Sequence, residues 1–171
     1  MKRNVRVRRV SSKKELAQAF AIRMCVFVRE QGVPAEIELD RDDGKAIHFL
    51  ALISGKAVGT ARVVLRRGRA KIGRMAVLKS YRGMGVGSKL LKRAIETAKR
   101  KRAGRIYLHA QESAVGFYEA AGFHAVGPIF DEAAIPHRKM TWRKAPDSRI
   151  PQAAGDVDSR RNQEKWLGGK R

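Results

Sequence analysis

Tyr81-Arg82-Gly83-Met84-Gly85-Val86-Gly87-Ser88 follows the apolar run Ile72 to Leu78 and opens a basic, helix-patterned stretch that reaches Arg102. Strand, glycine-rich turn and helix in that order build an anion site. Glycines let the backbone approach a ligand closely. The first amides of a helix have no intrahelical acceptor, so they converge on the anion with the positive end of the helix dipole. Two common nucleotide patterns fail here. A Walker A loop needs Gly-x-x-x-x-Gly-Lys-Ser/Thr, which Gly83 to Lys89 does not spell. A dinucleotide fingerprint needs Gly-x-Gly-x-x-Gly and an acidic residue about 20 positions on. In this chain the third glycine comes one place early, and Arg105 lies in the region where the acid belongs.

The spelling that fits is Arg-x-x-Gly-x-Gly, at Arg82, Gly85 and Gly87, which resembles the coenzyme A pyrophosphate loop of the GNAT family of N-acetyltransferases. A second motif follows in the family's order. After Ile106 to Ala110 comes Gln111-Glu112-Ser113-Ala114-Val115-Gly116-Phe117-Tyr118, then Gly122-Phe123, with Gln111 where many members have Asn. Val26-Phe27-Val28-Arg29-Glu30-Gln31, with Glu38, Asp40 and His48 beyond it, is similar to the ElaA-like branch of that family. So is Glu132-Ala133-Ala134-Ile135-Pro136-His137, in which Ala134 replaces the usual glycine. The resemblance spans residues 5 to 144.

It implies an α/β (α+β) GNAT fold, with a central mixed, mostly antiparallel sheet splayed at the cofactor site and flanked by helices. Acetyl-CoA is the implied cosubstrate. Arg82, Gly83, Met84, Gly85, Val86, Gly87 and Ser88 would hold its pyrophosphate, and Gln111 would make a further contact. The backbone of Met75, Ala76 and Val77 would bind the pantetheine arm, the Val77 amide facing the thioester oxygen. Tyr118 matches the family tyrosine that protonates the departing sulfur, although periodicity alone reads it equally well as a core aromatic beside Phe117. A phenol near ~10 stays protonated at neutral pH and suits the role. For the base, Glu30, Glu132, His109 and His137 are all admissible, directly or through water.

Composition bounds the rest. The 171 residues (19.1 kDa, 43% hydrophobic) suffice for one domain with a core. The expected division is an acetyltransferase domain over residues 1–144 and a basic tail over 145–171, rich in Pro, Gly, Asp, Ser and Arg, in which Trp166-Leu167 could dock. No apolar run approaches 18 residues, and the N-terminus carries charge without a signal peptide's apolar centre, so a cytoplasmic protein without membrane association is expected. The single Cys25 sits in an amphipathic stretch and is expected to be a buried, inert thiol. The four histidines, at 48, 109, 124 and 137, lack metal-ligand spacing, so no metal is expected.

In chain order, Val5 to Val10 alternates as a half-buried strand does, and Ser11 or Ser12 can cap a helix with Glu15 closing a capping box. Leu16, Ala19, Phe20, Arg23, Met24 and Phe27 follow at helical spacing. Ala46–Ser54 and Ala57–Leu65 read as a hairpin about Gly55-Lys56. The helix from Gly85 to Arg102 turns Leu90, Leu91, Ala94, Ile95 and Ala98 inward, and Lys89, Lys92, Arg93, Lys99 and Arg100 outward. Between Glu30 and Gly44 a strongly basic chain turns acidic, which reads either as a solvated loop or as a pocket rim, with Glu38 and Asp40, that draws in a cationic amine. His109 and Glu132 are further candidates for acceptor binding.

Net charge is +22, and the stretch from Ala145 holds six Lys/Arg against four Asp/Glu, so +20 belongs to the remainder. A rival reading is therefore a basic nucleic-acid-binding module that keeps the fold without turnover. Aromatics are only 6% and no RNP-type signature accompanies the charge, so no specific nucleic-acid partner is expected. The expected partner is an amine acceptor, small molecule or peptide, and a homodimer is admissible.

Overall fold

The computed structural model describes residues 4–143; the expected tail, with Trp166-Leu167, lies outside them. The chain runs through β1 (Val5–Arg9), α1 (Lys13–Arg23) with a π-helical continuation (Met24–Glu30), and α2 (Ala35–Glu38). There follow β2 (Ile47–Ile53), β3 (Lys56–Arg66), β4 (Arg69–Val77), α3 (Val86–Arg100), β5 (Arg105–Gln111), α4 (Val115–Glu119), β6 (Phe123–Glu132) and β7 (Ile135–Trp142). The strands form one sheet in the order β1-β2-β3-β4-β5-β7-β6. Among the described residues, only β4 and β5 pair in parallel. This is the mixed, mostly antiparallel sheet that the resemblance implies.

Local chemistry starts the elements where the sequence places them. Ser12 Oγ accepts from the Glu15 amide at 3.2 Å, while the Glu15 carboxylate reaches back to the Ser11 amide at 2.7 Å, one residue earlier than a standard capping box. Leu90, Leu91, Ala94 and Ala98 of α3 are buried on one sheet face with Phe49, Ile72, Leu108 and Met140. Each buried leucine contributes about 2 kcal/mol. The close approach of α3 depends on Gly59 of β3, where a Cβ would lie 3.0 Å from both Leu90 Cδ1 and Val86 Cγ1. On the other face α1 and its continuation bury Ala19, Ile22 and Val26 against Leu50 and Ala76.

Two expectations are corrected. The α-helical spacing does not persist to Phe27: from Met24 the helix widens, and the Gln31 amide donates to the Val26 carbonyl five residues back at 3.2 Å. Cys25, expected in the core, is half-buried.

The sheet opens between its two parallel strands. β4 and β5 pair from Arg69↔Arg105 to Ile72↔Leu108 and no further. Beyond that point β5 continues along β7 to Gln111↔His137, and β4 along β3 to Val77↔Gly59. A bulge drives them apart. Two steps along β3, from Arg62 to Thr60, correspond to three along β4, from Gly73 to Ala76, and Arg74 takes a left-handed φ of 50°. An extra residue in one strand bends and twists it away from its neighbour.

Candidate active site

The opening is a cleft of about 920 Å³, floored by β4 and walled by the loop before α3, by α4 and by the π-helical segment. At its upper end Gly83 and Gly85 take φ of 75° and 77°, and a Cβ on either would meet nothing within 4 Å. The loop thus turns through a conformation that L-residues resist, with its surface open. Val86, Gly87 and Ser88 begin α3, whose first in-helix acceptor is Gly85 O, taken by the Lys89 amide at 3.1 Å. The amides before Lys89 remain for an anion. Val86 buries its side chain and anchors the loop, while the Met84 side chain is exposed.

The β4 backbone supplies the next donors. The Leu78 amide donates to Val58 O at 2.9 Å on the β3 side, so by strand alternation the amides of Val77 and Met75 point into the opening. Ala76, between them, turns its side chain into the α1 core. The cradle of amides, the left-handed glycines and the unpaired strand edge fit a pyrophosphate with an extended amide-bearing arm.

Arg82 is already bound on two sides. Its Nε donates to Val77 O at 2.9 Å, and its terminal nitrogens meet Glu30 at 2.8 and 2.9 Å. Arg82 holds the Glu30 carboxyl below the usual carboxylate range, which makes Glu30 a weak base. Beside this pair Gln31 and Gln111 exchange amide hydrogen bonds at 2.7 and 3.3 Å, so Gln111 is held by the end of the π-helical segment.

Tyr118 lines the cleft, its ring edge-on to Phe117 and Phe123 at centroid distances of 5.0 and 6.0 Å. Burial pushes its phenol up to about 12. On the far side His109, Glu132 and His137 come together from three strands. His109 Nδ1 lies 2.9 Å from Glu132 Oε2, and the histidine holds that carboxyl down at about 2. His137 Nδ1 is 2.7 Å from the Ile135 carbonyl, so that nitrogen carries the hydrogen. In neutral His109 and His137 these contacts leave Nε2 as the proton-accepting atom. The turn delivering Glu132 and His137 has Ala133 and Ala134 at φ of 54° and 58°, a two-residue hairpin made without the glycine usual at 134.

The acidic loop is where the sequence misleads. Glu38 and Asp40 do not form a free acidic rim: they fold onto arginines. Arg23, with no exposed surface, binds Glu38 at 2.8 Å and Asp43 at 2.7 Å; Arg62 binds Asp40 and Asp43 at 2.7 Å; Arg74 reaches Asp40 at 3.1 Å. For Asp43, burial works to raise the carboxyl, but the hydrogen bonds from Arg23 and Arg62 overcome it and leave it well below the usual range. Three arginines and three carboxylates cancel. The sequence did not assign Arg23, Arg62, Arg74 or Asp43 to this network. The available signal was Arg23, a charged residue at a core position of an apolar helix face.

A split mixed sheet with an amide cradle at its mouth is an architecture this chain shares with known acetyltransferases. The chain matches the Acetyltransferase (GNAT) domain over residues 12–144. It is 37% identical to the uncharacterized N-acetyltransferase YjcF of Bacillus subtilis, covering 75% of this chain and 93% of that one. It is 32% identical to ElaA of Escherichia coli over 74% and 86%. The crystal structure of E. coli ElaA superposes with a TM-score of 0.74 over 82% of this chain and 100% of that one, at 28% identity. An acyl-CoA N-acyltransferase from Pseudomonas aeruginosa does so at 0.71 and 30%, over 82% and 99%. The protein belongs to the GNAT acetyltransferase family and has ElaA among its relatives.

Proposed function

We propose that this protein is an acetyl-CoA-dependent N-acetyltransferase that passes the acetyl group to a primary amine by direct attack. The observation that carries the reading is the meeting, in one cleft, of the glycine-loop amides, the open β4 edge and the Tyr118 hydroxyl. Acetyl-CoA supplies an acetyl thioester; the chain does the rest. The loop from Arg82 to Ser88 and the Met75 and Val77 backbone hold the donor, and an inward amide of β4 stabilises the developing oxyanion, a contact typically worth about 3 kcal/mol. His109, oriented by Glu132, or His137 takes the proton of the acceptor ammonium, directly or through water, and frees the lone pair for attack. As the carbon–nitrogen bond forms and the carbon–sulfur bond breaks, Tyr118 donates its hydroxyl proton to the sulfur. Its raised pKa keeps it protonated throughout the working range, and the second proton shed by the amine restores it.

Family membership favours this reading over a nucleic-acid-binding module. The fold offers no interleaved aromatics on the basic face of α3 to support the latter. No helix among the described residues is long and apolar enough to cross a membrane, and we place the reaction in the cytoplasm, where acetyl-CoA is made. The test is release of free thiol from acetyl-CoA over a panel of amines. Amine-dependent release supports the proposal, and its absence across the panel refutes it.

A further inference from the structure

Among the described residues, the carboxylates and guanidinium groups of the cleft are each held in contact with a partner. Glu30 is held by Arg82, Glu38 by Arg23, Glu132 by His109, and Arg62 by Asp40 and Asp43. Lys71 of β4 also lines the cleft, yet among the described residues it makes neither a hydrogen bond nor an ion pair. Its register neighbours are Val64 on β3 and Tyr107 on β5, so its stem lies between an aliphatic and an aromatic side chain. His109 lies two residues beyond Tyr107, on the same sheet face, which puts Lys71 at the acceptor side of the opening. Nearby, Lys139 stacks its ammonium over the Tyr107 ring at 5.3 Å and adds positive charge to that face. Burial lowers the Lys71 ammonium's pKa, and the neighbouring Arg74 and Arg62 act the same way; the charge of Glu132 opposes the shift but makes no ion pair with Lys71.

A pocket in which Glu38 and Asp40 are held by arginines, and in which a desolvated ammonium has no counter-ion in contact, does not select for cationic polyamines. We propose that Lys71 is the counter-ion for an anionic group of the acceptor, so that the preferred substrate is an amine that also bears a carboxylate or a phosphate. The anion displaces little water from Lys71 and gains a charge-assisted hydrogen bond in a low-dielectric wall. The pairing also orients the acceptor, holding its anion at β4 while its amine points along β5 toward His109. This inference rests on the acetyltransferase reading and deepens it.

The experiment compares matched acceptors: phenylalanine with phenethylamine for the carboxylate, and glucosamine 6-phosphate with glucosamine for the phosphate. At least one acid-bearing member is expected to exceed its partner without the acid group tenfold in kcat/KM, and the arm that does so identifies the anion. Lys71→Met should bring that ratio toward one, mainly through KM, and Lys71→Arg should restore most of it. The acetyl-CoA-induced rise in melting temperature, read on both variants, certifies a folded site. Amines without an acid group used as well as acid-bearing ones, or a preference unchanged in Lys71→Met, overturns the inference and leaves the acetyltransferase reading standing. Failure of Lys71→Arg to rescue, with a displaced pH profile of kcat, would make Lys71 a base and overturn it equally. If no amine in the panel, with or without an acid group, releases thiol, both readings fall together.

Discussion

Arg82 and Glu30, 52 residues apart, meet in a two-pronged ion pair with contacts of 2.8 and 2.9 Å, one end on the glycine loop and the other on the widened end of the first long helix. On the proposed reading, the pair makes Glu30 a positioning residue for the glycine loop and not the base. Glu30→Gln should weaken acetyl-CoA binding several-fold, seen as a rise in KM, while the pH profile of kcat keeps its shape. A lost limb in that profile would return Glu30 to the role of base.

Gly85 tests the cradle. At φ 77° with open space around its Cβ position, it admits aspartate at a cost of about 1 kcal/mol, since short polar side chains tolerate the left-handed region best. Gly85→Asp places a carboxylate where the proposed function puts the pyrophosphate. The variant should fold and lose the melting-temperature rise that acetyl-CoA produces in the parent protein. An undiminished rise would exclude the loop as the binding site.

Tyr118 separates core from catalysis. Tyr118→Phe keeps the ring packed on Phe117 and Phe123 and should cost only about 1 kcal/mol of stability. Turnover should fall about 100-fold with acetyl-CoA affinity retained. Single-turnover rates give the reading if product release limits kcat, and equal rates would make Tyr118 a packing residue.

The arginine–carboxylate network predicts a pH dependence of stability with a definite sign. Asp43 titrates in the folded protein below its unfolded value of about 3.9, so between the two the unfolded chain binds more protons. Its contribution is complete above the unfolded value and is lost as pH falls. The melting temperature should therefore drop progressively as pH falls below about 4. Asp43→Asn should flatten that drop and, by leaving Arg23 and Arg62 short of a partner, lower stability at neutral pH by about 3 kcal/mol, or roughly 10 °C. Parallel pH-melting curves for the two proteins would count against the network.

Ala134 offers a gain. Its φ of 58° strains an alanine and suits a glycine. Ala134→Gly should raise stability by about 1 kcal/mol, read by denaturant midpoint, provided the hairpin turn keeps its form.

The glycine loop, the strand before it, the helix after it and the tyrosine motif were all legible in the sequence, because each is set by interactions within a few residues. Left-handed glycines make the turn, a capping serine starts the first helix, and an apolar stripe seats α3. The acidic loop was not legible, because its meaning depends on partners 15 to 36 residues away: only folding brings Arg23, Arg62 and Arg74 onto Glu38, Asp40 and Asp43 and makes of it neither a solvated loop nor an amine-attracting rim but a charge-balanced, largely buried network. Distance along the chain likewise hid the pairing of Glu30 with Arg82, and the isolation of Lys71. A charge shows its sign in the sequence, but whether it is spent on a neighbour or left for a ligand is decided by which side chains the sheet and its bulge bring within a few ångströms.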